Sequence, residues 1–304
     1  RFEQDFLYIT GAPTGLGNND IGLDRGQIGG EKLVRFQRTG NKVMLVEPNQ
    51  GFRTSSTDPA AIRGVQESFP TSTLWGFKVE AEANGTVLVD ASDFALRDVH
   101  NVVGTLARSR QGAYRLDPSR SAVYLQSTKG FPRNTEIETS LTFTSDQPGN
   151  LVRTVAPSAE AVTVRERISL VALPEPGYTP RPFDPRSGFF QIAYRDMHAA
   201  LGEDQTKQFV ARHRLQKKDP RAAVSEAVKP IIYYLDRGAP EPIRAALLEG
   251  ARWWNQAFEA AGYRNAFQVE LLPEGADPMD VRYNMIQWVQ RYNRGWSYGN
   301  TVTD

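Results

Sequence analysis

Lys229-Pro230-Ile231-Ile232-Tyr233-Tyr234-Leu235-Asp236 marks the point at which the sequence changes character. Ile231–Leu235 is a short apolar run between a proline and an Asp-Arg-Gly turn, the pattern of a buried strand. Pro240 and Pro242 then stand where a helix can begin, because its first amides have no partner for proline to remove. From there Ile243, Leu247, Ala251, Trp254, Phe258 and Ala261 share one helical face, and Gly262 closes the run. Two further strands are expected at Phe267–Leu272 and Val281–Val289. Strand, helix, strand, strand predicts the opening of an α/β unit with a right-handed crossover.

Ahead of Lys229, strand signals dominate. Glu31–Arg38 and Asn41–Glu47 alternate around Thr39-Gly40, and Phe77–Ala83 and Thr86–Ala91 flank Asn84-Gly85. Asn-Gly is a type I′ hairpin signal because both residues tolerate positive φ. The same Asn84-Gly85-Thr86 fits a glycosylation sequon, and the turn explains it better. Ser92 should cap a helix to about Ala107, with Leu96, Val99, Val103 and Leu106 on one face. Further strands are expected at Phe6–Thr10, Ser121–Gln126, Thr135–Thr144, Ala161–Leu173, Gly188–Tyr194 and Lys207–Leu215. Pro-rich stretches 173–185 and 217–230 connect them. The fold class is therefore α+β: a β-rich front domain over 1–228, then an incomplete α/β subdomain over 229–304.

Composition fits an ordinary globular protein, with 40% apolar and 23% charged residues. Lys and Arg (36) nearly balance Asp and Glu (35), which argues against nucleic acid as a partner. Arg212, Arg214, Lys217 and Lys218 are a local basic cluster, read as a solvated strand edge and loop. No run of eighteen apolar residues is present, so no membrane span is expected. Cysteine is absent, which removes disulfides, thiolate metal sites and cysteine nucleophiles. The sequence opens at Arg1 and not at Met, as expected of a processed or truncated segment.

Short chemical motifs point mostly to nothing. Thr10-Gly11-Ala12-Pro13-Thr14-Gly15-Leu16-Gly17 follows a strand and is similar to the cofactor loop of short-chain dehydrogenases. No helical pattern follows it, and no Tyr is followed four residues later by Lys, so a surface loop is the better reading. Asn18, Asp20 and Asp24 carry oxygens that could hold calcium, but their spacing completes no EF-hand and suits a turn. His100, His198 and His213 include no pair four residues apart, as a catalytic zinc helix needs. Each is read as a structural or surface histidine. Trp254 and Trp288 are expected in the core, whereas Trp296 follows Gly295 in a loop.

Longer segments carry a resemblance. Lys229–Asp236, Glu249-Gly250-Ala251-Arg252-Trp253-Trp254-Asn255, Asp280–Val289 and Arg294-Gly295-Trp296-Ser297-Tyr298-Gly299 resemble a bacterial zinc-dependent metalloprotease family. In that family a metzincin-like catalytic domain lies behind a long front domain. Leu23-Asp24-Arg25-Gly26, Val89–Phe94, Arg115–Arg120 and Phe131–Glu136 resemble the front domain. One departure is visible, since Gln290-Arg291-Tyr292-Asn293 replaces an expected His-Arg-containing stretch. The resemblance implies a secreted or periplasmic parent that hydrolyses peptide or protein substrates with zinc. It places the His-Glu-x-x-His helix beyond the equivalent of Asp304, so this segment is expected to bind no zinc and to be inactive alone. It also implies that Tyr298, Gly299, Asn300, Thr301, Val302 and Thr303 form an edge strand along the cleft, able to pair with extended substrate. The alternative is a non-enzymatic β-rich protein-interaction domain.

Overall fold

The two turns visible in the sequence organise the first half of the main sheet. The structure, a computed structural model, describes residues 2–293, 295 and 297–303. Asn84 and Gly85 both take positive φ (51° and 72°), closing the hairpin between β4 (Ser72–Ala83) and β5 (Thr86–Val89). Gly40, at φ 59°, closes the hairpin between β2 (Gln27–Thr39) and β3 (Lys42–Glu47). With β1 (Asp5–Ala12), β6 (Arg115–Val123), β7 (Asn134–Thr144) and β8 (Ala161–Ala172), they build an antiparallel sheet in the order β5-β4-β3-β2-β1-β8-β7-β6. Lys129–Gly130 adds a short strand against β7. The sheet curls into a half-barrel, so the protein is β-rich.

Alternation along β7 and β8 divides the two faces. Leu141, Phe143, Val162 and Val164 face inward to a core shared with Val102, Leu106, Tyr114 and Val152. Tyr8, Val34, Leu45, Phe77, Phe94 and Ile168 form a second cluster. Full burial of an aromatic such as Phe143 stabilises by about 2–3 kcal/mol. The opposite face carries a small apolar patch of Leu7, Ile9 and Val171.

Three helices pack on the inner face of the sheet, α2 (Ser92–Ala95), α3 (Val102–Arg108) and α4 (Asn150–Val155), whereas α1 (Pro59–Ser68) buries no residue. The single helix expected from Ser92 to Ala107 is two short ones. Asn101 takes a left-handed φ of 57°, and Asp98 restarts the helix by accepting from the Val102 and Val103 amides at 2.6 and 2.9 Å. A carboxylate that satisfies two orphan donors outweighs an uninterrupted apolar stripe. The α1 and α4 helices have no counterpart in the sequence pattern.

A smaller sheet joins β9 (Gln191–Asp196) to β10 (Thr206–Val210) and to Phe52–Arg53. Farther along, β11 (Ile231–Leu235), β12 (Phe267–Leu271) and β13 (Asn284–Ile286) make a parallel sheet with β11 in the middle. Between β11 and β12 run α5 (Ile243–Arg252) and α6 (Asn255–Ala260). The expected continuous helix is interrupted at Trp253-Trp254, and the strand expected over Val281–Val289 shrinks to three residues. Ser225–Glu226 pairs with Tyr263–Arg264, so the front chain reaches across the expected boundary at 229. Among the described residues no helix is long and apolar enough to cross a membrane.

Candidate functional site

The loop after β1, residues 13–26, is the hub of the molecule. Leu16, Ile21 and Leu23 root it in the core, and the Leu16 amide donates to Leu23 O at 2.9 Å. Gly15 lies directly on the returning backbone, where a Cβ would meet Leu23 O, Arg25 N and the Asp24 carbonyl carbon. No helix follows the loop. The next element is strand β2, so a dinucleotide cradle has no helix N-terminus here. Folded this way, the loop points Asn19, Asp20, Asp24 and Arg25 at residues 287–303.

Asp24 is 5% exposed and meets Arg291 through two contacts, Nε to Oδ1 at 2.9 Å and Nη2 to Oδ2 at 2.8 Å. The Tyr298 hydroxyl donates to the same Oδ2 at 3.1 Å. Burial, reinforced by the Asp24 charge, pushes the Tyr298 phenol up to about 12. Arg25 donates through Nη1 to Asp236 Oδ2 at 2.7 Å and to Trp288 O at 3.0 Å. Burial alone would raise the Asp236 carboxyl, yet the Arg25 hydrogen bond and charge, with the Gly238 amide, hold it below its usual range. The Tyr292 amide donates to Gly17 O at 2.6 Å, and Asn293 accepts from the Asn19 amide at 3.1 Å. On the other side, Lys129 pairs with Asp277 at 2.8 Å and Asn134 donates to Met279 O at 2.8 Å. The oxygens considered for calcium are therefore already engaged: Asn18 accepts from the Asp20 amide at 3.0 Å, and Asp24 faces an arginine.

Residues Tyr298, Gly299, Asn300, Thr301, Val302 and Thr303 form no strand. This corrects the expected secondary structure, because a ladder needs a partner strand and none adjoins this segment among the described residues. The segment runs without turn or bend across the outer face of the front sheet. Val302 packs on the patch of Leu7, Ile9 and Val171, and the Thr303 amide donates to Glu31 Oε2 at 3.2 Å. Arg294 and Trp296 lie outside the described residues.

Three buried carboxyls have no motif that announces them. Glu136 and Glu138 (each 1% exposed) share the outer face with Arg165, Arg167 and Ser169. Arg165 Nη1 lies 2.8 Å from Glu138 Oε1, Arg167 Nε lies 3.3 Å from Glu136 Oε2, and Ser169 donates to Glu136 at 2.6 Å. Burial raises both glutamates despite these partners. Glu166, on the inner face, is fully buried and accepts from the His100 amide at 2.7 Å. Burial, then the negative charge of Asp98, pushes it up to about 9. The Glu-x-Glu and Arg-x-Arg spacing at 136–138 and 165–167 is the one available signal, since period two puts each pair on one face.

His100 contacts Gln27 Oε1 through Nε2 at 3.2 Å, and burial holds its pKa below the ordinary value. Burial does the same to His213, while His198 is exposed. Among the described residues no group of three or more His, Cys, Asp or Glu could hold a metal ion, so these side chains do not fit a zinc centre. Trp254, expected in the core, is 67% exposed and Trp253 is 64% exposed. Both lie at the interruption between α5 and α6. Trp288 is half-buried.

A family model described as a domain of unknown function (DUF5117) matches residues 26–218. No curated protein and no solved structure matches the chain.

Proposed function

We propose that this chain, which belongs to the DUF5117 family, is the front domain and first catalytic-domain strands of a zinc-dependent metallopeptidase. The parallel sheet of β11, β12 and β13, reached through α5 and α6, carries the reading. It follows the strand, helix, strand, strand order that the resemblance to a metzincin-like domain leads one to expect. The contacts lend support as well. Segments quoted for the resemblance meet each other in space: Leu23–Gly26 meets Asp236 through Arg25, and Phe131–Glu136 meets Asp280–Val289 through Asn134.

In this reading the chain supplies scaffold and cleft wall, while the zinc ligands belong to a part of the parent outside these 304 residues. Because no described group fits zinc, no step of hydrolysis is assigned to residues here. The parent would act on peptide or protein substrates in a secreted or periplasmic setting. The test is to express the open reading frame beyond residue 304 and measure zinc per chain and casein hydrolysis with and without a chelator. One zinc and chelator-sensitive cleavage are expected. A full reading frame with neither would leave the non-enzymatic β-rich interaction domain as the better description.

A further inference from the structure

The basic cluster of Arg212, Arg214, Lys217 and Lys218 divides in two once its partners are seen. Lys218 pairs with Glu226 at 2.7 Å, and Lys217 donates to the carbonyls of Ala222 and Ala223. Arg212 and Arg214 face no carboxylate within ion-pair distance among the described residues. Backbone carbonyls hold them instead, Arg212 Nη2 on Thr179 O at 2.9 Å and Arg214 Nη1 on Glu175 O at 2.8 Å. Both guanidinium groups lie against the ring of Tyr178, at 5.1 and 5.7 Å from its centre. Residues 174–190 and 209–215 together carry four arginines against two acids, Glu175 and Asp184, and Asp184 is taken by Arg186.

The same end of the small sheet exposes aromatic rings. Phe190 directly precedes β9, and its carbonyl accepts from the Ala211 amide at 2.9 Å, which sets it beside the start of the arginine segment. Phe190 is 86% exposed, Phe189 55% and Tyr178 38%. Aromatic rings left in water beside uncompensated arginines mark a contact surface.

We propose that Tyr178, Phe189, Phe190, Arg212 and Arg214 form a docking surface for an anionic lipid bilayer. The two phenylalanine rings enter the headgroup boundary, Tyr178 lies at its wet edge, and the arginines meet lipid phosphates. Two observations favour a bilayer over a protein partner. The local surplus of positive charge complements anionic headgroups. The aromatic area is also small: three rings of roughly 150–250 Å² each stay below the about 800 Å² per side of a stable protein interface. A bilayer asks for no matching pocket. Such a contact lies on the membrane surface and needs no spanning helix. The inference goes beyond the peptidase reading and does not rest on it.

The experiment sediments the full 304-residue chain with vesicles of phosphatidylglycerol and phosphatidylcholine in equal parts, or of phosphatidylcholine alone. Binding to the mixed vesicles should be about tenfold tighter, and high salt should erase the difference. Phe189→Ser combined with Phe190→Ser should weaken binding to the mixed vesicles about tenfold. Arg212→Gln combined with Arg214→Gln should remove the preference for phosphatidylglycerol, while each glutamine keeps an N–H for the backbone carbonyls. Leu201→Ser is the control, because Leu201 is fully exposed in the turn between β9 and β10, at the other end of the sheet. It should change nothing. Urea midpoints establish that each variant is folded, and the lipid and salt comparisons on the native chain decide even where one is not. Equal binding to the two vesicle types overturns the proposal. So does binding unchanged by the phenylalanine pair, or weakened as much by Leu201→Ser. Saturable binding of polyglutamate without binding to vesicles would also overturn it, and would assign the surface to an acidic polypeptide.

Discussion

Asp24 and Arg291 form a two-point ion pair although 267 positions separate them, and both side chains are largely buried, at 6% and 13% exposure. The pair ties the loop after the first strand to the last described segment of the chain. It also occupies the place where the resemblance expects a His-Arg-containing stretch. Arg291 therefore has a structural role here.

Removing one partner strands the other charge away from water. Arg291→Ala is expected to cost about 3 kcal/mol, because an uncompensated buried carboxylate is far worse than a lost surface pair. Asp24→Asn removes the charge that Arg291 faces and one of its two acceptor oxygens, so it should cost a comparable amount. Urea unfolding followed by fluorescence measures both. Equal and negligible costs would mean that the loop and the terminal segment are held by other contacts.

How much of this is legible in the sequence depends on the range of each interaction. The Asn84-Gly85 and Gly40 turns are visible because the backbone demand and the residue that meets it coincide. The break at Asn101 is not. The stripe of Leu96, Val99, Val103 and Leu106 is continuous in helical phase, and only Asp98, four residues before Val102, hints at a second start. Pairings such as Asp24 with Arg291, or Arg25 with Asp236, leave no periodic trace at all. They arise when the curled sheet brings its first loop beside the parallel strands. The apolar face expected along Ile243–Ala261 misleads for a related reason. Its helical spacing says which residues align, whereas burial depends on what packs against them, and Trp254 remains in solvent.

Glu166 makes stability depend on pH. Its folded pKa, about 9, lies above the unfolded value near 4.5, so the folded protein retains a proton that the unfolded chain releases. The stabilisation is fully present below about pH 4.5 and is lost as pH rises toward 9. By pH 7 the loss is on the order of 3 kcal/mol. Glu166→Gln, neutral and able to donate to Asp98, should flatten this slope and stabilise the protein more at pH 8 than at pH 5. Urea midpoints at the two pH values test it. A parallel shift at both would show that Glu166 is ionised in the folded state.

Trp254 and Leu106 should respond oppositely to substitution. Leu106 is fully buried between α3 and the main sheet, so Leu106→Ala should cost about 2–5 kcal/mol. Trp254→Gln, despite removing the larger side chain, should stay within about 0.5 kcal/mol, since its ring is 67% exposed. Thermal unfolding of the two variants decides the ordering. A cost for Trp254→Gln comparable to that of Leu106→Ala would restore the tryptophan to a packed interface.

Gly15 and Gly26 bracket the hub loop, and they should tolerate alanine unequally. Gly26 takes φ +77°, and an added Cβ there would run into the side-chain amide of Gln287. Gln287 is exposed and flexible, so it can swing aside cheaply, and the remaining cost is the backbone's, about 1 kcal/mol. At Gly15 the obstruction is backbone on every side, namely Leu23 O, Arg25 N and the Asp24 carbonyl carbon, none of which can rotate away. Alanine there must spread the loop that aims Asp24 at Arg291, at a cost of about 3 kcal/mol. Gly15→Ala should therefore lower the midpoint more than Gly26→Ala, and it alone should release the Tyr298 phenol. Adding Gln287→Ala to Gly26→Ala should recover only a few tenths of a kcal/mol. A larger recovery would show that the glutamine is held in place, with the collision outweighing the dihedral strain.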